Sequence, residues 1–134
     1  MSKLIATITD ILNKDNLHIV KFDYFGTQLQ MLSLELDQNI KIGAKVSLGV
    51  KSTNIVISKD FQGSISYTNQ IKAKIKDCTN GELLSSIILE IHNSTIEAII
   101  TSQSSKEMDL KIDEEVTIFI NASDLSIFEV ILDD

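Results

Sequence analysis

The sequence predicts an all-β protein made of two tandem small Greek-key β-barrels of the oligonucleotide-binding type, each with one short helix. Three observations point there. Apolar residues alternate with a period of two in ten short segments, the sign of half-buried strands. The apolar content, 43% of 134 residues, is rich in Ile, Leu and Val, with only 5% aromatics, no Pro and no Trp, a composition that suits strands. And the chain repeats itself.

The repeat is read position by position. Leu4, Ala6 and Ile8 match Ile71, Ala73 and Ile75 at a shift of 67, which also carries Asp10 to Asp77, Asn13 to Asn80, Gly26 to Asn93, Leu29 to Ile96 and Met31 to Ala98. Farther on the shift becomes 70. Ile40, Ile42, Val46, Leu48 and Val50 then map onto Leu110, Ile112, Val116, Ile118 and Ile120, and Ile55 and Ile57 onto Leu125 and Ile127. Three extra residues in the second copy therefore fall opposite the stretch between Leu32 and Asn39. Gly26 and Asn93 both tolerate the left-handed backbone that a hairpin turn needs.

Copy one reads as strands near 3–12, 16–24, 27–32, 45–51 and 54–58, and copy two near 70–78, 83–91, 95–101, 115–121 and 125–131. The extra residues of copy two lie in TSQSSKEMDLK, where Ser104 and Glu107 have capping-box spacing and open a short helical turn. Copy one has the shorter LSLELDQNIK there. The segment KDFQGSIS around Gly63 is the linker, which divides the chain into domains 1–62 and 63–134. Five strands and a brief helix in about 65 residues outline a small barrel that is marginal alone. The copies are expected to pack on one another, and the chain to form a homo-oligomer, a dimer or trimer, through strand edges.

A net charge of -7 and the lack of a Lys/Arg cluster speak against a nucleic-acid partner, and scarce aromatics speak against stacking on single strands. A small anion remains compatible, because backbone amides and hydroxyls can supply local donors. Cys78 is alone, the N-terminus does not read as a signal peptide, and no stretch approaches the roughly 18 to 20 apolar residues that span a bilayer. A cytoplasmic protein with no membrane partner is expected. His18 and His92 lack ligand-spaced neighbours for a metal. No nucleophile triad, phosphate loop or cofactor motif is present, so the chain does not read as an enzyme. The carboxylates of Asp113, Glu114 and Glu115 read as a solvated turn, and Asp133 and Asp134 as an acidic tip.

With Ser66-Tyr67-Thr68-Asn69-Gln70, Ile100-Thr101-Ser102-Gln103-Ser104 and the apolar frame of Asp109 to Val116 in this order, the second copy resembles the Mop/TOBE, or molbindin, family of molybdate-binding domains. Ser66-Tyr67-Thr68-Asn69-Gln70 is similar to the family's Ser-Ala-Arg-Asn-Gln, with Thr68 in place of Arg. Ile100-Thr101-Ser102-Gln103-Ser104 matches its Ile-Thr-x-x-Ser. Asp109 to Val116 keeps the apolar frame of its Gly-Leu-x-x-Gly-x-x-Val without the glycines. Copy one carries the Lys-Ser signature as Lys51-Ser52, where copy two has Asn121-Ala122-Ser123. The order of these motifs covers nearly the whole chain as two tandem domains.

The resemblance implies non-catalytic binding of molybdate or tungstate for storage, homeostasis or sensing, with no cofactor beyond that ligand. The alternative is a ligand-free structural or interaction module. The implied oxyanion site draws on Lys51, Ser52, Ser66, Thr68, Asn69, Thr101, Ser104 and Asn121. The core of it is expected to be Lys51 and Ser52 from copy one with Thr101 and Ser104 from copy two. Ser66, Thr68 and Asn69 come from the linker arm and close the site, in a neighbouring subunit or in the same one. Uncharged donors at a helix start suit a tetrahedral anion that only accepts hydrogen bonds, and Lys51 adds one full positive charge. Each residue also has an ordinary structural reading: Ser104 as a helix cap, Thr101 as an exposed strand end, Lys51 as an edge-strand lysine, Asn69 as a turn residue.

Overall fold

The computed structural model describes residues 2–92 and 94–132. The expected turn residue Asn93 and the acidic pair Asp133 and Asp134 lie outside them. Ten strands form in the order β1 (Ser2–Lys14), β2 (Leu17–Tyr24), β3 (Thr27–Ser33), β4 (Lys45–Val50), β5 (Val56–Ser58), β6 (Asn69–Asn80), β7 (Leu84–Ile91), β8 (Ser94–Thr101), β9 (Glu115–Ile120) and β10 (Ser126–Ile131). One α-helix, α1 (Ser102–Met108), follows β8. Single 3-10 turns, at Ser52–Asn54 and Ala122–Asp124, precede β5 and β10.

The expectation of a short α-helix in each copy is corrected: only copy two has one. The three residues missing from copy one leave bends and turns between β3 and β4, too short a run to close a helix from an edge strand and return to the sheet.

Alternation turns one face of each strand inward, and the repeat puts equivalent residues in equivalent pairs. Leu4 pairs with Leu48 and Ile71 with Ile118; a bulge falls between Ile8 and Asp10 and again between Ile75 and Asp77. At each bulge the freed backbone finds the same partner. Gly43 N–H donates to Ile8 O at 2.8 Å and Asp113 N–H to Ile75 O at 2.7 Å. Gly43 has φ 93 and Asp113 φ 68, so the shift of 70 carries a left-handed residue onto a left-handed residue.

The two sheets run β10-β4-β1-β2-β3 and β5-β9-β6-β7-β8. The last strand of each copy has therefore crossed to the other copy's sheet: β5 pairs with β9, and β10 with β4. Residues of both copies form one continuous apolar cluster, including Leu4, Phe22, Leu48 and Ile55 with Ile71, Leu89, Ile118 and Leu125. Phe22 and Met31 in copy one face the places held by Leu89 and Ala98 in copy two.

Two outer-face features differ between the copies. Phe119 on β9 is buried under Phe61 and Tyr67 of the linker, at centroid distances of 5.2 and 6.0 Å. The equivalent residue on β4 is Gly49, flanked by Lys3 on β1 and Ser126 on β10. Nearby, the ring of Phe128 from the crossing strand lies 3.9 Å beneath the Lys3 ammonium, a cation–π contact.

The tips of the two β-hairpins also meet. Phe25 and His92, equivalent residues with φ 49 each, stack at 4.2 Å and 14°, with the buried Tyr24 ring edge-on to both. Burial pushes the Tyr24 phenol pKa up.

Strand β3 ends its sheet, and its edge is closed by a side chain. The Asn69 carbonyl accepts from Gln30 N–H at 2.6 Å, and its amide donates to Gln30 O at 2.9 Å. A primary amide is the size and polarity of a peptide group, so Asn69, fully buried, serves as a one-residue strand. Replacing Asn69 with Leu leaves both Gln30 groups unpaired and is expected to lower stability by about 1–3 kcal/mol. The check is a lower urea midpoint at unchanged slope.

Candidate functional site

The crossing strands carry the candidate residues onto the opposite copy. The 3-10 turn after Lys51 packs against β8, and the turn after Asn121 packs against β3. Lys51 is exposed at the N-cap of its turn and makes no side-chain cap. Asn121, its equivalent, bends back to accept from Ser123 N–H at 3.3 Å. The same backbone turn is thus capped by its own side chain in copy two and leaves its lysine extended in copy one.

Ser52 lines a cavity of about 520 Å³ with Lys3, Ile88, Ser94, Thr95, Ile96 and Glu97. Its hydroxyl is 3.4 Å from Glu97 Oε1, and Ser86 donates to Glu97 Oε2 at 2.6 Å. Lys51 lines a different crevice, with Val50, Asn54, Ser123, Asp124 and Ser126. A carboxylate therefore stands beside each of the two copy-one residues.

The start of α1 departs from the expected capping box. Thr101, not Ser104, is the N-cap: its hydroxyl oxygen accepts from Ser104 N–H at 3.1 Å and its O–H donates to Ser104 Oγ at 2.9 Å. Glu107 accepts from the Gln103 side chain instead. Ser102 N–H is taken by Leu83 O at 2.9 Å. Of the first three helix amides two are thus occupied, a correction to the expectation of several open ones. The Ser104 O–H is left able to donate outward, since its oxygen accepts from Thr101.

Beneath α1 lies a network of small polar side chains. Asn80 Oδ1 accepts from Ser85 at 2.6 Å and Ser105 at 2.9 Å, while Ser102 donates to Gly81 O at 2.9 Å and contacts Ser85 Oγ at 3.0 Å. Ser85, Ser102 and Ser105 are buried. The far end of α1 is held by Lys59, whose ammonium donates to Met108 O at 3.0 Å and Asp109 O at 3.1 Å and pairs with Glu114 Oε2 at 2.9 Å. Lysine at a helix C-terminus satisfies open carbonyls and complements the helix dipole.

Ser66 and Thr68 are exposed on the linker, near where Gln70 donates to Tyr67 O at 3.0 Å. The structure thus brings Lys51 and Ser52 to the β8 side of copy two and places Thr101 and Ser104 together. Ser66 and Thr68 stand apart on the linker, Asn69 is committed to Gln30, and Asn121 to its own turn. Sequence reasoning missed Lys59, Glu97 and the Asn80 network. The spacing of Ser102 and Ser105 on one helix face was the only local signal for the last.

Where the family's glycines are missing, Asp109 and Asp113 still adopt left-handed backbone, φ 51 and 68. Asp tolerates this region better than most residues, at a cost of about 1–2 kcal/mol relative to the right-handed form.

Residues 65–127, just under half of the chain, match the model of the TOBE domain. The fold is similar to that of a solved structure, the cytoplasmic molybdate-binding protein ModG, crystallised with molybdate bound. The match has a TM-score of 0.86 at 18% identity and covers 93% of each chain. A search of curated protein sequences found no match. Among the described residues no helix is long and apolar enough to cross a membrane, and no cluster of three His, Cys, Asp or Glu could hold a metal.

Two outcomes are expected. Asp109→Gly, which relieves the left-handed residue and removes an acid from the helix C-terminus, should raise stability by about 1 kcal/mol in urea unfolding. The hydrogen bond from Lys59, helped by Lys111 N–H, holds the Glu114 carboxyl below the usual carboxylate range. Its folded pKa lies below the unfolded one, so its contribution is present above the unfolded value and is lost as pH falls through the folded one. Glu114→Gln should therefore flatten the acid limb of stability against pH while leaving the slope near neutrality unchanged.

Proposed function

We propose that the chain binds molybdate or tungstate without chemical conversion, as a cytoplasmic store, buffer or sensor of the oxyanion. The observation that carries this reading is the position of Lys51-Ser52. The family's Lys-Ser signature is retained in copy one and carried by the crossing segment onto β8, the strand that runs into Thr101 and Ser104. The likeness of the whole tandem fold to a molybdate-binding protein supports it.

In this reading Lys51 supplies the charge that offsets the dianion, and Ser52, Thr101 and Ser104 supply hydroxyl donors. Ser66 and Thr68, exposed on the linker, complete the coordination from a neighbouring subunit of a homo-oligomer. Glu97 sets a requirement: the Ser52 hydroxyl must turn from the carboxylate to the anion. In copy two Asn121 stands in place of the lysine and its side chain caps its own turn. We infer one competent site per chain, not two.

A second reading, a ligand-free interaction module, is favoured by Thr68 standing where the family has Arg. Thr lacks the planar fork that grips two oxygens at once. Equilibrium dialysis against molybdate, tungstate, sulfate and phosphate separates the two, since failure to bind any of them at millimolar concentration selects the module. Where binding is seen, Lys51→Ala should weaken it more than about tenfold, as loss of a charge-assisted bond requires, and calorimetry should give about one anion per chain. An unchanged affinity would remove Lys51 from the site.

A further inference from the structure

We propose that Lys59 is the positioning residue of the oxyanion site, locking α1 and its Thr101–Ser104 pair in register with Lys51 and Ser52. The proposal rests on the oxyanion reading above. Its geometry is one continuous run of copy one, residues 51–59, pinned to copy two at both ends. At the near end the Ser52 hydroxyl meets Glu97 on β8 at 3.4 Å. In the middle β5 pairs with β9, Ile57 facing Ile118. At the far end the Lys59 ammonium holds Met108 O, Asp109 O and Glu114 at 2.9–3.1 Å.

The helix that this clamp holds is only seven residues long. A helix of two turns is not stable on its own in water and takes its order from tertiary contacts. Its underside is held by the small hydroxyls of Ser102 and Ser105 and by Met108, which packs against the core, and its end passes into a left-handed aspartate, φ 51. Lys59 is the cation that meets those C-terminal carbonyls among the described contacts. With the ammonium removed, the carbonyls turn to water, the last turn loosens, and the hydroxyl pair at the first turn loses its fixed place at the end of β8. Donors arranged before the ligand arrives bind more tightly than donors ordered by it.

The test uses the full chain with Lys59→Met, which keeps the aliphatic stem and removes the charge, and Lys59→Arg, which keeps the donors. Molybdate affinity is measured by calorimetry well below the unfolding temperature, and amide hydrogen exchange is followed over residues 102–109 without ligand. The expected result is an affinity at least about tenfold weaker for the Met variant, the cost of ordering the donors only when the anion arrives. Exchange in α1 should be faster and that of β1 and β6 unchanged, and the Arg variant should recover most of the affinity. A lower melting temperature with unchanged affinity of the folded protein marks Lys59 as a stabilising residue only and overturns the proposal. If the unaltered protein binds no oxyanion, the functional reading and this inference fall together. If it binds and Lys59→Met binds equally well, only the inference falls.

Discussion

Everything in this molecule depends on the exchange of last strands between the repeats. A four-stranded half-barrel leaves a hydrophobic edge, and each copy supplies the fifth strand that the other lacks. The exchange merges two marginal cores into one cluster that spans the chain. It also fixes where function can reside. The residues just ahead of each exchanged strand, Lys51-Ser52 and Asn121-Ala122, are delivered to the partner repeat and away from their own. Any site built around them is by construction an interface between repeats.

Duplication has been followed by divergence at the positions that face outward. Inside, Ala6 and Ala73, or Val46 and Val116, remain alike, while Phe22 against Leu89 and Met31 against Ala98 differ in volume within the one shared core. Outside, Gly49 stands opposite Phe119, Gln30 opposite Glu97, Gly43 opposite Asp113 and Lys51 opposite Asn121. These substitutions have physical partners. Phe119 has the linker rings to cover it, and Asn121 closes its own turn. The two halves are alike in backbone and unlike in side chains, so only copy one presents a lysine ahead of its exchanged strand.

The strands were legible because their signal is local. Period-two alternation and the two shifts located all ten to within a few residues, and even the length change fell where α1 was found. What stayed hidden was whatever depends on residues distant in sequence. Asn69 reads as a turn or ligand residue from its neighbours, and its bond to Gln30, 39 positions away, has no trace in the local pattern. Lys59 reads as part of a polar linker, yet its partners lie about fifty residues further on. The helix was read correctly and its cap was not. Thr-x-x-Ser and Ser-x-x-Glu overlap by one turn, and the choice between them is made by Leu83 reaching Ser102. The strand exchange itself is invisible to a periodicity argument, since β5 and β10 would alternate identically in either sheet.

The exchange has a consequence for how the protein is made. Sheet β10-β4-β1-β2-β3 contains the first residues of the chain, yet its outer strand ends at Ile131. During synthesis, β1 to β4 must wait with a bare hydrophobic flank until β10 has been made. The other sheet receives its borrowed strand early and has no such delay. Contacts this far apart in sequence slow folding and prolong exposure to aggregation. The N-terminal half is therefore where a nascent-chain chaperone is most needed, and where shortening the C-terminus does its damage.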